Sequence, residues 1–465
     1  MPKLLVIGAG SSGLGVALAA ARRGWQVVVY EAKDIGSGTS TTSTKLIHGG
    51  LRYLESAIRR FRWADWKLVR EALVERAWML QSHPQLCRRI SIVLPVGGLW
   101  AKSFYGIGLS LYHWLSRPYQ LAPPEWVPAA QLRHLFPTLS PLPQGGWRYY
   151  DGQFQDRLYL VHLALFLRQR FGVEIRPYHR VTGIYAKPSY VEVRVETAEG
   201  SSYEDAGDFV VNAAGPWADL IRQKVYPEAL PRLRLSRGSH LVFARADLPL
   251  AEGFLIPRTR DGRLLFALPW LEETVLVGTT DVEVEAPTWE VPVPEAEEAY
   301  LRAHLASYFP EAREAPVLAR FAGLRPLVSG GSHSTAQLSR EHVVEVWPEK
   351  RFASLLGGKW TTYRAMGEAA LKEVCRALHL PFTSGELVKE ITPDLSQLRQ
   401  LQEAYPTPIV EGEPFTEGEV RFWRRLGWAQ TPEDLVAGRW QLTSIHTERA
   451  AKVRTALQAK WNQLT

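Results

Sequence analysis

The sequence predicts an α/β protein whose first domain is a doubly wound, mostly parallel β-sheet. Strand and helix patterns alternate over residues 1–80, which is typical of this class. A short apolar strand over residues 4–7 is followed by a glycine-rich turn, an alanine-rich helix and a second apolar strand over residues 27–30. The chain of 465 residues, 46% of them hydrophobic, is long enough for two or three domains with a substantial core.

The turn has the spacing Gly8-x-Gly10-x-x-Gly13, and each glycine meets a need of dinucleotide binding. The first allows a tight turn, the second lets the backbone approach a pyrophosphate, and the third lets the helix pack against the strand. The N-terminus of that helix offers N–H groups and a positive dipole end to the phosphates. Glu31 lies about twenty residues downstream, where a carboxylate accepts hydrogen bonds from ribose hydroxyls. This strand–turn–helix–strand unit predicts a dinucleotide site. An acidic residue at the position of Glu31 disfavours NADP. The unit alone does not distinguish FAD from NAD.

Charge and cysteine content narrow the classes of partner. The formal net charge of +7 suits an anionic partner, such as a phosphorylated substrate, an acidic membrane face or a nucleic acid. No nucleic-acid-binding motif accompanies the charge, so we expect no nucleic-acid partner. Cys87 and Cys375 match no metal or redox spacing, which favours a reducing compartment and no metal site. The chain enters its first strand directly, and we expect no signal or transit peptide.

A hydroxyl-rich segment after the acidic residue is the second strong signal. Seven of the eight residues 37–44 are Ser or Thr. Such small donors and acceptors can line a cofactor diphosphate and a flavin ring, and a polar surface loop is the alternative. His48, a glycine pair, Arg52 and Tyr53 come next and place a titratable base, a flexible backbone, a fixed cation and a phenol close together. For His48 alone, a structural histidine is the alternative interpretation.

Several segments, in the same order along the chain, are similar to the signature sequences of FAD-dependent glycerol-3-phosphate dehydrogenases. The segments TSTTSTKLIHGGLRYLE and GGKWTTYR are specific, whereas GPW and GTTD also occur among flavin amine and amino-acid oxidases. The resemblance is spread over residues 4–364 and is thin beyond them. It rests on residues 39–55, 212–217, 237–240, 278–281, 323–327, 339–340 and 357–364.

The resemblance implies a fold in three parts. These are a glutathione-reductase-like, Rossmann-type FAD-binding domain, a β-sheet substrate domain and a small helical C-terminal module. Near residue 385 the pattern of the chain also changes to polar helices with proline breaks. We place the discontinuous FAD-binding domain at residues 1–80, 150–220 and 320–384, the substrate or cap domain at 81–149 and 221–319, and the C-terminal module at 385–465.

The same resemblance implies oxidation of sn-glycerol 3-phosphate to dihydroxyacetone phosphate, by hydride transfer to flavin N5 of FAD, with electrons passed to a quinone. A glycerol-3-phosphate oxidase that uses oxygen, and a flavin amine or amino-acid oxidase, are the alternatives. A dianionic phosphate needs fixed, bidentate cations, and the set of arginines argues against an amine or amino-acid substrate. A flavin-binding scaffold without catalysis would leave the hydroxyl-rich segment and Lys359 without a role.

Residue roles follow from this chemistry and from the matching motifs. Removal of the C2 hydroxyl proton needs a base with a pKa near neutrality, and His48 and His240 are both candidates. Arg325 and Lys359 are the further catalytic candidates, and Lys359 could stabilise negative charge on the reduced flavin or the substrate oxygen. We assign substrate binding to Arg52, Tyr53, Arg325, Arg340 and Lys359. We assign FAD binding to Gly8, Ala9, Gly10, Gly13, Glu31, Ala32, Ser40, Thr44, Lys45, Val181, Ala214, Gly215, Gly357, Gly358, Thr361 and Thr362.

Residues 99–126 are rich in aromatic side chains but hold no apolar run long enough to span a bilayer. One interpretation is an interfacial helix with Trp and Tyr at headgroup level, and the other is an aromatic helix packed in the substrate domain. The resemblance favours membrane contact, because members of the family are peripheral and reduce membrane quinone. We expect a cytoplasmic protein on the inner face of the cell membrane, with glycerol 3-phosphate and a quinone as partners. The sequence leaves open whether the protein forms a homodimer.

Overall fold

The computed structural model describes residues 1–50, 63–257, 259–271, 273–329 and 342–464. Within these ranges the α-helices are α1 (Ser11–Ala21), α2 (Trp63–Ser82), α3 (Leu99–Leu115), α4 (Ala129–Leu135), α5 (Asp156–Phe171), α6 (Ala218–Val225), α7 (Glu295–Ala306), α8 (Tyr363–Ala377), α9 (Ser396–Ala404), α10 (Glu417–Arg425) and α11 (Thr447–Lys460).

The strands in the same ranges are β1 (Lys3–Ile7), β2 (Gln26–Tyr30), β3 (Leu46–Ile47), β4 (Cys87–Val96), β5 (Glu125–Pro128), β6 (Gly145–Phe154), β7 (Glu174–Arg176), β8 (His179–Ala186), β9 (Val191–Thr197), β10 (Ser202–Gly207), β11 (Phe209–Asn212), β12 (Leu233–Ala244), β13 (Gly253–Ile256), β14 (Leu265–Trp270), β15 (Thr274–Gly278), β16 (Val282–Val284), β17 (Val317–Val328), β18 (His342–Trp347) and β19 (Phe352–Gly357).

A six-stranded sheet forms the centre of the first domain. Its order is β18-β19-β11-β1-β2-β7, and all its pairs are parallel except β18 with β19. Leu4, Leu5 and Val6 of the central strand are fully buried, as expected for a parallel sheet covered on both faces. Helices α1, α5 and α8 share the apolar core on one face, and the small sheet β10-β9-β8 shares the core on the other. The predicted α/β class is confirmed.

A second, ten-stranded sheet carries the rest of the β-structure. Its order is β16-β12-β15-β14-β13-β4-β6-β3, with β17 also paired to β12 and β5 to β6. Its own core contains Phe136, Phe254 and Phe309 together with apolar residues of α7. Strands β12 and β17 pair over their whole length, and β3 brings the end of the hydroxyl-rich segment to this sheet. The two sheets therefore meet around that segment.

The C-terminal helices pack against the first domain. Trp428, Val453 and Leu457 belong to the same apolar core as α1 and α5. Arg439 forms an ion pair with Asp34, and the two side chains are 1% and 5% exposed. The domain boundaries drawn from the sequence stay a prediction.

No helix in the described ranges combines the length and the apolar character that a membrane span requires.

Candidate cofactor and substrate site

A cavity of about 720 Å³ lies where the two sheets meet. Its lining includes the glycine turn and Glu31 from the six-stranded sheet, and Gly238, His240 and Arg325 from β12 and β17. The volume falls within the range of about 300–1,000 Å³ that is usual for ligand and cofactor sites. The cavity therefore joins the predicted cofactor residues to the predicted substrate residues.

The glycine turn has the backbone geometry that a diphosphate needs. Gly8 has a φ of 106°, a conformation that residues with a Cβ rarely adopt. A Cβ at Gly13 would overlap the carbonyl oxygen of Gly8, so only glycine lets α1 approach β1 this closely. The N–H of Ser11 opens α1 and donates to Ser40 Oγ over 3.0 Å. The turn, the helix N-terminus and the hydroxyl-rich segment thus form one polar wall.

Glu31 stands at the end of β2 with its carboxylate fixed by the backbone. Ala9 N–H donates to one of its oxygens over 2.8 Å, and Lys33 N–H donates to the other over 3.1 Å. Burial raises the pKa of Glu31 to about 7. Hydrogen bonds from ribose hydroxyls would favour the charged carboxylate, so a bound nucleoside would offset the cost of burying this charge.

The hydroxyl-rich segment is a wall of the cavity and not a surface loop. Thr39, Ser40, Thr42, Ser43 and Thr44 all line the cavity. Trp360 Nε1 donates to the carbonyl oxygen of Ser40 over 2.6 Å, and Thr39 Oγ1 donates to the carbonyl oxygen of Leu324. These bonds hold the segment between β17 and the start of α8.

Lys45 lies behind this wall, outside the cavity lining. Its ammonium donates to both oxygens of Asp156, over 2.7 and 2.8 Å, and to the carbonyl oxygen of Thr41 over 2.9 Å. Both charged side chains are almost completely buried, and the same carboxylate accepts from Ser43 Oγ over 2.8 Å. The structure therefore gives the Lys45 side chain the role of holding the segment in place, and the assignment of Lys45 to FAD binding stays a prediction.

His240 lies on β12 at the substrate end of the cavity. Its ring stacks on Phe321 with centroids 4.8 Å apart, and its Nε2 shares a hydrogen bond of 3.0 Å with Thr44 Oγ1. Its Nδ1 has no hydrogen-bond partner among the described residues. Burial, with Arg325 and Lys45 nearby, holds the pKa of His240 well below its usual range. The imidazole is therefore neutral at physiological pH, and its burial beside two cations makes it a weaker base than an ordinary histidine.

Arg325 and Lys359 line the same cavity from different elements. Arg325 lies on β17, opposite Ser236 of β12. Its guanidinium donates to Thr279 Oγ1 over 2.8 Å and to the carbonyl oxygen of Thr280 over 3.1 Å. These bonds fix the plane of a group that binds phosphate oxygens in pairs. Lys359 follows the Gly357-Gly358 turn at the end of β19, and half-buried His48 also lines the cavity.

Most of the predicted site residues that the structure describes are brought together. Ala9, Gly13, Lys45 and Thr362 lie outside the cavity lining, and Arg52, Tyr53 and Arg340 lie outside the described residues. Those that line the cavity are Gly8, Gly10, Glu31, Ala32, Ser40, Thr44, His48, Val181, Ala214, Gly215, His240, Arg325, Gly357, Gly358, Lys359 and Thr361.

Sequence reasoning missed a pair of stacked tryptophans in the cavity lining. The rings of Trp217 and Trp289 lie 3.9 Å apart at an angle of 21°, and Lys33 Nζ lies 5.0 Å from the centre of the Trp289 ring. Trp217 belongs to a matched motif, which could have singled it out. Trp289 lies in a proline-rich stretch that carries no local signal of a site.

The arrangement fits FAD. The glycine turn and the N-terminus of α1 would bind the diphosphate, and Glu31 would bind the adenosine ribose. Gly357, Gly358 and Thr361 also line the cavity and could hold the flavin ring. A family model described as FAD dependent oxidoreductase matches residues 3–364. The chain belongs to this family, and the predicted FAD cofactor and enzyme class are confirmed.

Within that family the chain is similar to glycerol-3-phosphate dehydrogenases. It is 33% identical to a probable mitochondrial glycerol-3-phosphate dehydrogenase of Dictyostelium discoideum, over 96% of this chain and 78% of the relative. It is 30% identical to a mitochondrial glycerol-3-phosphate dehydrogenase of Arabidopsis thaliana, over 97% of this chain and 80% of the relative. The structure of the glycerol-3-phosphate dehydrogenase from Bacillus halodurans complexed with FAD aligns with a TM-score of 0.70 at 22% identity, over 99% of this chain and 94% of that chain. The resemblance read from the sequence is confirmed.

Proposed function

We propose that the protein oxidises sn-glycerol 3-phosphate to dihydroxyacetone phosphate and passes the electrons to a quinone. The observation that carries the proposal is one cavity lined by the glycine turn and by Arg325, Lys359, His48 and His240. The names of the similar relatives support the same substrate.

Each residue at the substrate end has a distinct task. The hydrogen-bonded guanidinium of Arg325 binds and orients the phosphate dianion. A histidine, His240 or His48, takes the proton of the C2 hydroxyl. Lys359 stabilises the negative charge that develops on the substrate oxygen. Bound FAD would supply the acceptor for the hydride at its N5 atom.

The phosphate requirement separates this proposal from the oxidation of an amine or amino acid. A carboxylate needs fewer cations than a phosphate dianion, and both Arg325 and Lys359 line the cavity. The geometry favours a phosphorylated alcohol.

The direct test is reduction of the bound flavin by the substrate. The FAD-loaded protein is mixed anaerobically with sn-glycerol 3-phosphate, and the flavin absorbance is followed in a stopped-flow instrument. We expect complete bleaching, and no bleaching with glycerol, because glycerol lacks the phosphate that Arg325 binds. Bleaching by glycine or proline but not by sn-glycerol 3-phosphate would overturn the proposal.

A second mixing step identifies the electron acceptor. The reduced protein is mixed either with a soluble quinone analogue or with buffer saturated with oxygen. Reoxidation much faster by the quinone than by oxygen is the expected result. Faster reoxidation by oxygen, with release of hydrogen peroxide, would make the protein a glycerol-3-phosphate oxidase.

We also propose that helix α3 contacts an anionic membrane surface. Trp100, Ile107 and Trp114 are 75%, 70% and 55% exposed, and their spacing of seven residues places them on one face of a helix. Gly106, Leu109 and Tyr112 on the opposite face are buried. An exposed apolar face on a protein of net charge +7 fits shallow insertion among anionic lipids, and it would place the enzyme beside its quinone.

Binding to vesicles checks this contact. Replacing Trp100, Ile107 and Trp114 together by serine should reduce binding to vesicles that contain phosphatidylglycerol at least tenfold, because roughly 1.5–3 kcal/mol is lost for each large apolar side chain that no longer inserts. The control is the double variant Leu230→Ser with Leu387→Ser, since these leucines are 78% and 72% exposed elsewhere on the surface. Equal vesicle binding by the triple variant and the control would show that α3 does not contact the membrane.

A further inference from the structure

A buried polar cluster lies between α2, α3 and the loop that follows β3. Tyr112 of α3, Arg76 of α2 and Asp151 of β6 are only 2–3% exposed. Asp151 Oδ1 accepts hydrogen bonds from the Tyr112 hydroxyl over 2.9 Å and from Arg76 Nη1 over 2.7 Å. The Tyr112 oxygen in turn accepts a hydrogen bond of 2.8 Å from the backbone N–H of Gly49. None of these three side chains lines the cavity.

The backbone at the end of this chain of hydrogen bonds adjoins the site. Gly49 follows His48, which lines the cavity. A Cβ at Gly49 would overlap Leu73 and lie 2.5 Å from the Tyr112 oxygen, so the loop is pressed against α2 and α3 at this point. Burying an ion pair and a phenol is costly unless their hydrogen bonds are satisfied. In this cluster the Tyr112 hydroxyl holds the peptide between His48 and Gly49, and His48 is a candidate base.

We propose that Tyr112 is a positioning residue of the site: by accepting the N–H of Gly49, it fixes the direction in which the His48 imidazole enters the cavity. The inference rests on the proposed oxidation of sn-glycerol 3-phosphate. Without the Tyr112 hydroxyl, the buried Gly49 N–H loses its acceptor at 2.8 Å and keeps only the Asp151 carboxylate as a partner, so the His48 peptide is held less firmly. A small displacement of a reacting group is enough to slow a reaction severely. Binding of the phosphate, which depends on Arg325, is unaffected.

The variant Tyr112→Phe tests this in the FAD-loaded protein. We expect about a tenfold lower rate of flavin reduction at saturating sn-glycerol 3-phosphate, with an unchanged FAD content and a substrate dissociation constant within twofold of that of the wild type. The solvent deuterium isotope effect on flavin reduction should rise, because proton transfer to a misaligned base limits the rate more strongly. A purely structural role of Tyr112 would not change that isotope effect.

The matched control is Tyr300→Phe. It removes another tyrosine–aspartate hydrogen bond, of 2.6 Å to Asp261, and Tyr300 does not line the cavity. We expect flavin reduction in this control to match the wild type. If Tyr112→Phe also matches the wild type, or if both variants slow equally, the inference is wrong while the proposed function stands. If the wild type itself is not reduced by sn-glycerol 3-phosphate, both are wrong.

A second variant of the same cluster covers the case in which Tyr112→Phe is purified without FAD. Asp151→Asn keeps the phenol and an acceptor for its hydroxyl, but weakens the pair with Arg76 that orients the cluster. A two- to threefold lower reduction rate with the same rise in isotope effect supports the inference. An unchanged rate in this variant overturns it.

Discussion

Replacing Arg325 by alanine is expected to lower kcat/KM for sn-glycerol 3-phosphate by two to three orders of magnitude, about 3–4 kcal/mol, while FAD stays bound. The guanidinium is held by Thr279 and Thr280 on the ten-stranded sheet, whereas the glycine turn follows β1 of the six-stranded sheet. Its loss therefore removes the fixed partner of the phosphate and leaves the diphosphate wall intact. Stopped-flow reduction at several substrate concentrations measures the effect, and the absorbance spectrum of the purified variant measures its flavin content.

Two further variants separate charge from geometry at this position. Arg325→Lys keeps the positive charge but not the planar fork, and we expect it to recover only part of the lost activity. Arg234→Ala is the control, because Arg234 pairs with Glu283 near the edge of the same sheet and does not line the cavity. If Arg325→Ala emerged without FAD, the residue would belong to the cofactor site and the substrate assignment would be wrong.

Replacing Gly13 by alanine is expected to weaken FAD binding at least a hundredfold. The new Cβ would overlap the carbonyl oxygen of Gly8, which cannot move without distorting the turn, so α1 must shift away from β1 and its N-terminus away from the diphosphate. Titration of the apoprotein with FAD, followed by quenching of flavin fluorescence, measures the dissociation constant.

Gly108→Ala provides the control for the cost of adding a methyl group. A Cβ at Gly108 would meet no atom within 4 Å, and alanine is a better helix former than glycine. This variant should bind FAD as the wild type does. Wild-type affinity in Gly13→Ala would show that α1 tolerates the shift and that the close approach of helix and strand is not required for the cofactor.

The parts of the molecule that could be predicted from the sequence are those whose contacts are local. The glycine turn and Glu31 lie within one strand–helix–strand unit, so their spacing alone places them on one cofactor. His240 and Arg325 are brought together by the antiparallel register of β12 and β17, which no spacing along the chain encodes. Their joint assignment depended on the family resemblance.

Lys45 shows that the composition of a segment does not indicate the direction in which a side chain points. Lys45 directly follows the hydroxyl-rich segment, and this position is the reason for its assignment to FAD binding. Its φ is 61°, and its ammonium turns away from the cavity to Asp156, 111 residues further along the chain. An aspartate at the start of a helix is ordinary on its own, because carboxylates are favoured there. The sequence therefore held no sign that this one was the partner of Lys45.

The ion pair between Asp34 and Arg439 has a consequence for how the first domain folds during synthesis. Asp34 lies three residues after Glu31, in the loop that leads from β2 to the hydroxyl-rich segment, yet its partner is synthesised 405 residues later. Because translation runs from the N-terminus, Asp34 lacks this partner until almost the whole chain has been made. Nascent chains halted before Arg439 should therefore hold FAD less firmly than the finished protein, which makes the last helices a late step in the maturation of the first domain.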